Sequence, residues 1–97
     1  MRIVKVKRAI SRIQQMERYL NQVLLALDTQ PEMINRDAAI REAIQELVQY
    51  YDNGQWIQDY ELDEQGLLPT ELKRGVLAQD TLYDVLEQVR RKVPRDM

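Results

Sequence analysis

The sequence predicts an all-α fold: a three-helix bundle built from a long antiparallel helical hairpin plus a C-terminal helix, with an irregular Trp/Tyr-rich connection between helices two and three. Three observations carry this expectation. Apolar residues recur at steps of three and four over three separate stretches. All three glycines fall between the second and third of those stretches, at Gly54, Gly66 and Gly75. A chain of 97 residues supports one modest core, so residues 1–97 read as a single helical domain.

In the first stretch Ile3, Val6, Ile10, Ile13, Leu20, Leu24 and Leu27 form a seam broken once, at Glu17. Ala9, Met16 and Val23 widen it to about three residues in seven, the width of a helix that buries one face in a bundle. No Gly or Pro interrupts the pattern before Pro31, and Pro31 disfavours helix at Gln30. The connection is short, so the next helix should return antiparallel. Its seam reads Met33, Ile40, Ile44, Leu47 and Tyr51, with Ile34, Ala43 and Val48 alongside and Asp37 as the odd member. A start between Pro31 and Asp37 is expected, with Asn35 a candidate cap.

Asp52-Asn53-Gly54 is a turn signal, because Asn and Gly tolerate positive φ. Beyond it, Gln55–Tyr60 is expected as a short helical turn with Trp56 and Tyr60 on one face, and the acidic run Asp59–Gly66 as a loop. Pro69 should start one or two turns over Thr70–Arg74, ended by a left-handed Gly75. The last helix is expected from Gln79 to Val93, with Leu82, Val85, Leu86, Val89 and Val93 inward. Asp80 in its first turn and Arg90, Arg91 and Lys92 in its last complement the dipole, and Pro94 ends it.

The net charge of −2 conceals an uneven layout. Residues 1–27 carry +5, residues 28–66 carry −8 and the remainder +1, so the basic start and the acidic middle should attract each other. The chain has no Cys and no His. Disulfides, thiolate metal sites, imidazole proton shuttles and the Ser-His and Cys-His nucleophile pairs are therefore excluded. No run approaches the roughly 18 apolar residues of a membrane span. The N-terminus mixes charge into its apolar pattern, unlike a secretory leader. The expectation is a cytoplasmic protein without membrane contact.

Tyr50 to Leu77 organises the rest. Its residues Tyr50-Tyr51, Trp56, Asp59, Leu68-Pro69, Leu72-Lys73-Arg74-Gly75-Val76-Leu77, and then Asp80 and Tyr83, resemble the signature of the family known as domain of unknown function 4298. The opening helix, from Arg12 to Val23, is similar to that family's as well. The resemblance implies a small bacterial protein and a helical fold, and it implies no activity. Ala78 departs from it: a Ser is expected there, and Ala offers no side-chain acceptor to cap the last helix.

Several chemistries are conceivable on these residues. Asp59, Glu61 and Asp63 alternate like the first ligands of a calcium loop. Glu64 and Thr70 occupy the places that require Gly and a bidentate Glu, so an EF-hand is rejected and a solvated acidic loop expected. Lys5, Arg8 and Arg12 share one face, extended by Arg2 and Lys7, and could meet phosphates. No aromatic residues interleave with them, so a solvated or internally paired face is the preferred reading. Lys73 and Arg74 lack the spacing of a phosphate loop and should lie near the acidic run. Trp56 with Tyr50, Tyr51, Tyr60 and Tyr83 forms either a plug pinning the connection to the helices or an interface anchor.

No catalytic residue, cofactor, metal or small-molecule substrate is expected. The leading expectation is a non-enzymatic interaction or adaptor module with a protein partner or self-association, its candidate motif being Tyr50, Tyr51, Trp56, Asp59, Tyr60, Lys73, Arg74, Gly75, Asp80 and Tyr83. A nucleic-acid-associated regulator using the basic first helix is the alternative, and a metal-dependent activity at the acidic run comes third.

Overall fold

The computed structural model describes residues 2–92, so Val93 and Pro94 lie outside the described residues, as do the side chains of Arg2 and Ile3. The described chain is all helical: α1 (Arg2–Thr29), α2 (Ala38–Asp52), α3 (Gln55–Glu64) and α4 (Gln79–Lys92), with 3-10 turns at Pro31–Asn35 and Gly75–Leu77. Four α-helices thus stand where three were expected.

At 28 residues, α1 is about 42 Å long and forms the axis on which the other elements pack. Its buried face is Ala9, Ile13, Met16, Leu20, Val23 and Ala26. The expected seam is displaced by one column: Leu24 is exposed, and the residues expected at its margin form its centre.

At Pro31–Asn35 the chain makes a 3-10 turn that buries Ile34. Asp37, the odd member of the second seam, is the cap of α2: its Oδ1 accepts from Ala39 N at 2.9 Å and Ile40 N at 3.1 Å. Asn35 is not that cap. α2 then returns along α1, burying Ala43, Leu47 and Tyr50. Tyr51, expected inward, is only half-buried, because steps of four and three from Ala43 arrive at Tyr50.

The turn after Asp52 forms as expected. Gly54 sits at φ +90°, and Asn53 Oδ1 accepts from Gln55 N at 2.9 Å. The acidic run beyond it is not a loop. α3 continues through these residues to Glu64 and stops in a Schellman motif, with Gly66 N donating to Asp63 O at 3.0 Å and Leu67 N to Leu62 O at 3.1 Å. The left-handed terminator is Gly66, at φ 72°. Gly75, expected in that role, is not left-handed and opens a 3-10 turn. Nor is Thr70–Arg74 helical; Leu72 N donating to Pro69 O at 3.2 Å closes a single turn.

α4 buries Leu82, Val85 and Val89. Asp80 and the basic cluster Arg90, Arg91 and Lys92 lie in its first and last turns. Ala78 supplies no side-chain cap, and its backbone carbonyl accepts from Thr81 N at 3.1 Å. Among the described residues, no helix is long and apolar enough to cross a membrane.

Candidate functional site

The end of α2 and the middle of α3 come together with α1 at Arg12, and three polar side chains meet there. Asp59 of α3 is wholly buried. Its Oδ2 accepts from Arg12 Nε of α1 at 2.9 Å and from the Tyr50 hydroxyl of α2 at 2.8 Å. Its Oδ1 accepts from Arg12 Nη2. The guanidinium therefore grips the carboxylate as a fork, the geometry that makes Arg rather than Lys suited to such a place. The Asp59 hydrogen bond raises the Arg12 pKa further, against a smaller opposing effect of burial. Burial, and then the same carboxylate, push the Tyr50 phenol well above its ordinary value of 10.0. Of the basic face expected to be solvated or internally paired, Arg12 is the internally paired member.

Three further aromatic residues, Tyr51, Trp56 and Tyr60, pack together at the junction of α2 and α3. Trp56, 6% exposed, is part of the core. Its Nε1 donates to Val76 O at 2.9 Å, and its ring is held between two tyrosines. Tyr60 stacks on it at 5.2 Å between centroids and Tyr51 is tilted against it at 5.5 Å. The Gly75–Leu77 turn is fastened from the other direction as well, because Val76 N donates to Glu17 Oε1 of α1 at 2.9 Å. Glu17, the one break in the first apolar seam, is a tether. Gly75 leaves room for this tether: a Cβ there would stand 3.0 Å from Glu17 Oε2, so the carboxylate would have to shift by a few tenths of an ångström.

Arg74 closes the remaining gap. It pairs with Asp63 of α3 and donates to the carbonyls of Pro69 and Leu72, holding the irregular Leu67–Arg74 segment on the end of α3. The expected attraction between Arg74 and the acidic run is real, whereas Lys73 is exposed. Among the described residues no buried side-chain nitrogen or oxygen lacks a partner.

Of the ten candidate residues, Tyr50, Tyr51, Trp56, Asp59 and Tyr60 come together, and Arg74 and Gly75 join them through the Val76 turn. Lys73, Asp80 and Tyr83 stand apart on the surface. Arg12, Glu17 and Val76 complete the joint from outside those ten, Arg12 having been read as part of the basic face and Val76 as part of the signature. Glu17 and Arg12 carry a signal nonetheless, as charged residues set among the apolar positions of α1. The alternating acids do not converge, because a helix sends Asp59 inward, Glu61 outward and Asp63 to Arg74. Among the described residues no three carboxylates are grouped to hold a metal ion. With both oxygens of Asp59 engaged and no exposed surface, this carboxylate joins three helices and reaches no solute.

The model of a domain of unknown function, DUF4298, matches residues 13–95. The chain belongs to this family. The matched span takes in Tyr50, Trp56, Asp59, Glu17 and the Val76 turn, so the joint lies inside the family domain, with Arg12 immediately before it. Comparison with curated proteins and with solved structures finds no match. The family description carries no activity.

Proposed function

We propose that the protein is a non-enzymatic protein-interaction module that docks a partner on the outer side of α3. The observation that carries this is Ile57. It is 46% exposed in the first turn of α3, although the joint around it buries Trp56 and half-buries Tyr60. Glu61 and Glu64, four and seven positions on, lie on the same side of the helix and are exposed. An exposed apolar side chain rimmed with acids suits a partner presenting an apolar residue between Lys or Arg side chains. The aromatic cluster serves that surface by fastening α3 to α2 and to the Val76 turn.

The test places a photo-crosslinker on the α3 surface beside position 57 in the intact chain and compares wild type with Ile57→Arg. Adducts that disappear in the variant while its circular dichroism is unchanged support the reading. The same adducts at the same yield from both proteins refute it.

The basic first turns support a second reading, a nucleic-acid-associated regulator. Lys5, Lys7 and Arg8 are exposed and form no ion pair among the described residues, and no acid precedes Glu17 in the sequence. Binding through these cations would weaken linearly in the logarithm of salt concentration. Failure to bind DNA or RNA at low salt ends this reading.

A further inference from the structure

We infer that the solvent face of the C-terminal half of α1 is a two-fold interface on which a second copy of this chain docks antiparallel. This surface is distinct from the outer side of α3 and does not depend on it. From Tyr19 to Leu27 the sequence carries no charge, although 31% of the chain's residues are charged. The core accounts for only part of that run. Asn21, Gln22 and Leu25 point to solvent, and Leu25 at 64% is the most exposed large apolar side chain among the described residues. Tyr19 and Gln22 flank a shallow groove beside Leu25.

The ends of the run identify the occupant. Arg18 precedes it and Asp28 follows it, both exposed and both on the side of the helix that presents Leu25. Neither forms an ion pair among the described residues, and Arg18 donates only to Gln15, at 2.6 Å. A two-fold contact must be complementary to itself, which a face of one charge sign cannot be. This face has a neutral centre and opposite charges about 15 Å apart along the axis. Laid antiparallel about a two-fold axis that crosses the solvent face midway between Arg18 and Asp28, each Arg18 falls opposite the other copy's Asp28, and Leu25 falls over Asn21 and Gln22. A parallel pair would set like charges opposite one another. Amide side chains suit the centre because each both donates and accepts, and so pairs with its own kind.

About three helical turns per copy is a small contact, at the weak end of specific interfaces. Full-length protein is therefore studied by sedimentation equilibrium up to several hundred micromolar. Wild type is expected to dimerise reversibly and Leu25→Lys to stay monomeric. Arg18→Asp and Asp28→Arg should each raise the dimer Kd at least about tenfold, and combining them should restore it to within about threefold of wild type. Circular dichroism checks that each variant folds. A wild-type monomer at every concentration overturns the inference. So does a dimer indifferent to Leu25→Lys, or a double reversal that fails to restore association.

Discussion

Replacing Asp59 by Ala tests the account of the joint most directly. The substitution removes a carboxylate that accepts three hydrogen bonds, two from Arg12 and one from Tyr50. Breaking a buried ion pair from one side costs about 3–5 kcal/mol, mostly because a charge is left behind without a partner. Here the stranded guanidinium is 22% exposed and can turn to water, which lowers that figure. The stranded Tyr50 hydroxyl is buried and adds about 1 kcal/mol or more. The expected loss is about 3 kcal/mol, a large part of the stability of a domain this size. At roughly 4–8 °C per kcal/mol, the thermal midpoint should fall by roughly 12–24 °C. Thermal and urea unfolding followed by circular dichroism measure it. Arg12→Met should cost at least as much, because the carboxylate it strands is fully buried. The pair Arg12→Met with Asp59→Leu should cost clearly less than the two single losses together. An Asp59→Ala protein within about 0.5 kcal/mol of wild type, or strictly additive losses, would refute the reasoning.

Tyr50 gives a pH dependence. Its folded pKa lies above its unfolded value of 10.0, so its contribution is complete below pH 10 and declines as pH rises beyond it. The decline is about 1.4 kcal/mol per pH unit; urea titrations between pH 9 and about 11.5 should show Tyr50→Phe lacking this component. Asp37→Ala removes the acceptor for two amides at the start of α2 and should cost about 1 kcal/mol in the same assay. The glycines should separate by mechanism. Gly66→Ala meets no atom within 4 Å but must hold φ 72°, so it costs about 1 kcal/mol and Gly66→Asn less. Gly75→Ala is strained only through Glu17, so its cost should shrink in a Glu17→Ala background.

The long regular parts of this fold are legible because a helix that buries one face writes its period into the sequence. α1, α2 and α4 can be read that way, with their ends marked by Pro31, by Asn53-Gly54 and by the basic cluster before Pro94. The first turns of α3 can be read from Trp56 and Tyr60, but its continuation to Glu64 is hidden because the next inward position is Asp59. A charge on the buried face erases the apolar period, and the surrounding acids complete the look of a loop. The same cause misplaces Gly75: with the helical turn expected to end at Tyr60, the stop signal at Gly66 has no helix to end. Tyr50 and Tyr51 cannot be told apart by type, only by the register counted from Ala43. Arg12 and Glu17 are visible as charges among apolar neighbours, but their partners lie 47 and 59 positions away. No local pattern links residues so far apart. The candidate motif is therefore legible as a region, while its connections require coordinates.

The tether between Glu17 and Val76 also bears on how the molecule is made. During synthesis α1 and α2 can pair once residue 52 has emerged, since they are neighbours in sequence. The side of α1 that receives the Gly75–Leu77 turn and α4 stays bare until more than twenty further residues have been added. Closing a loop of 59 positions is entropically costly only in proportion to the logarithm of its length. The delay thus comes from translation rather than from the search, and a nascent chain halted before Gly75 would present the side of α1 around Glu17 to chaperones and proteases as an unfinished surface.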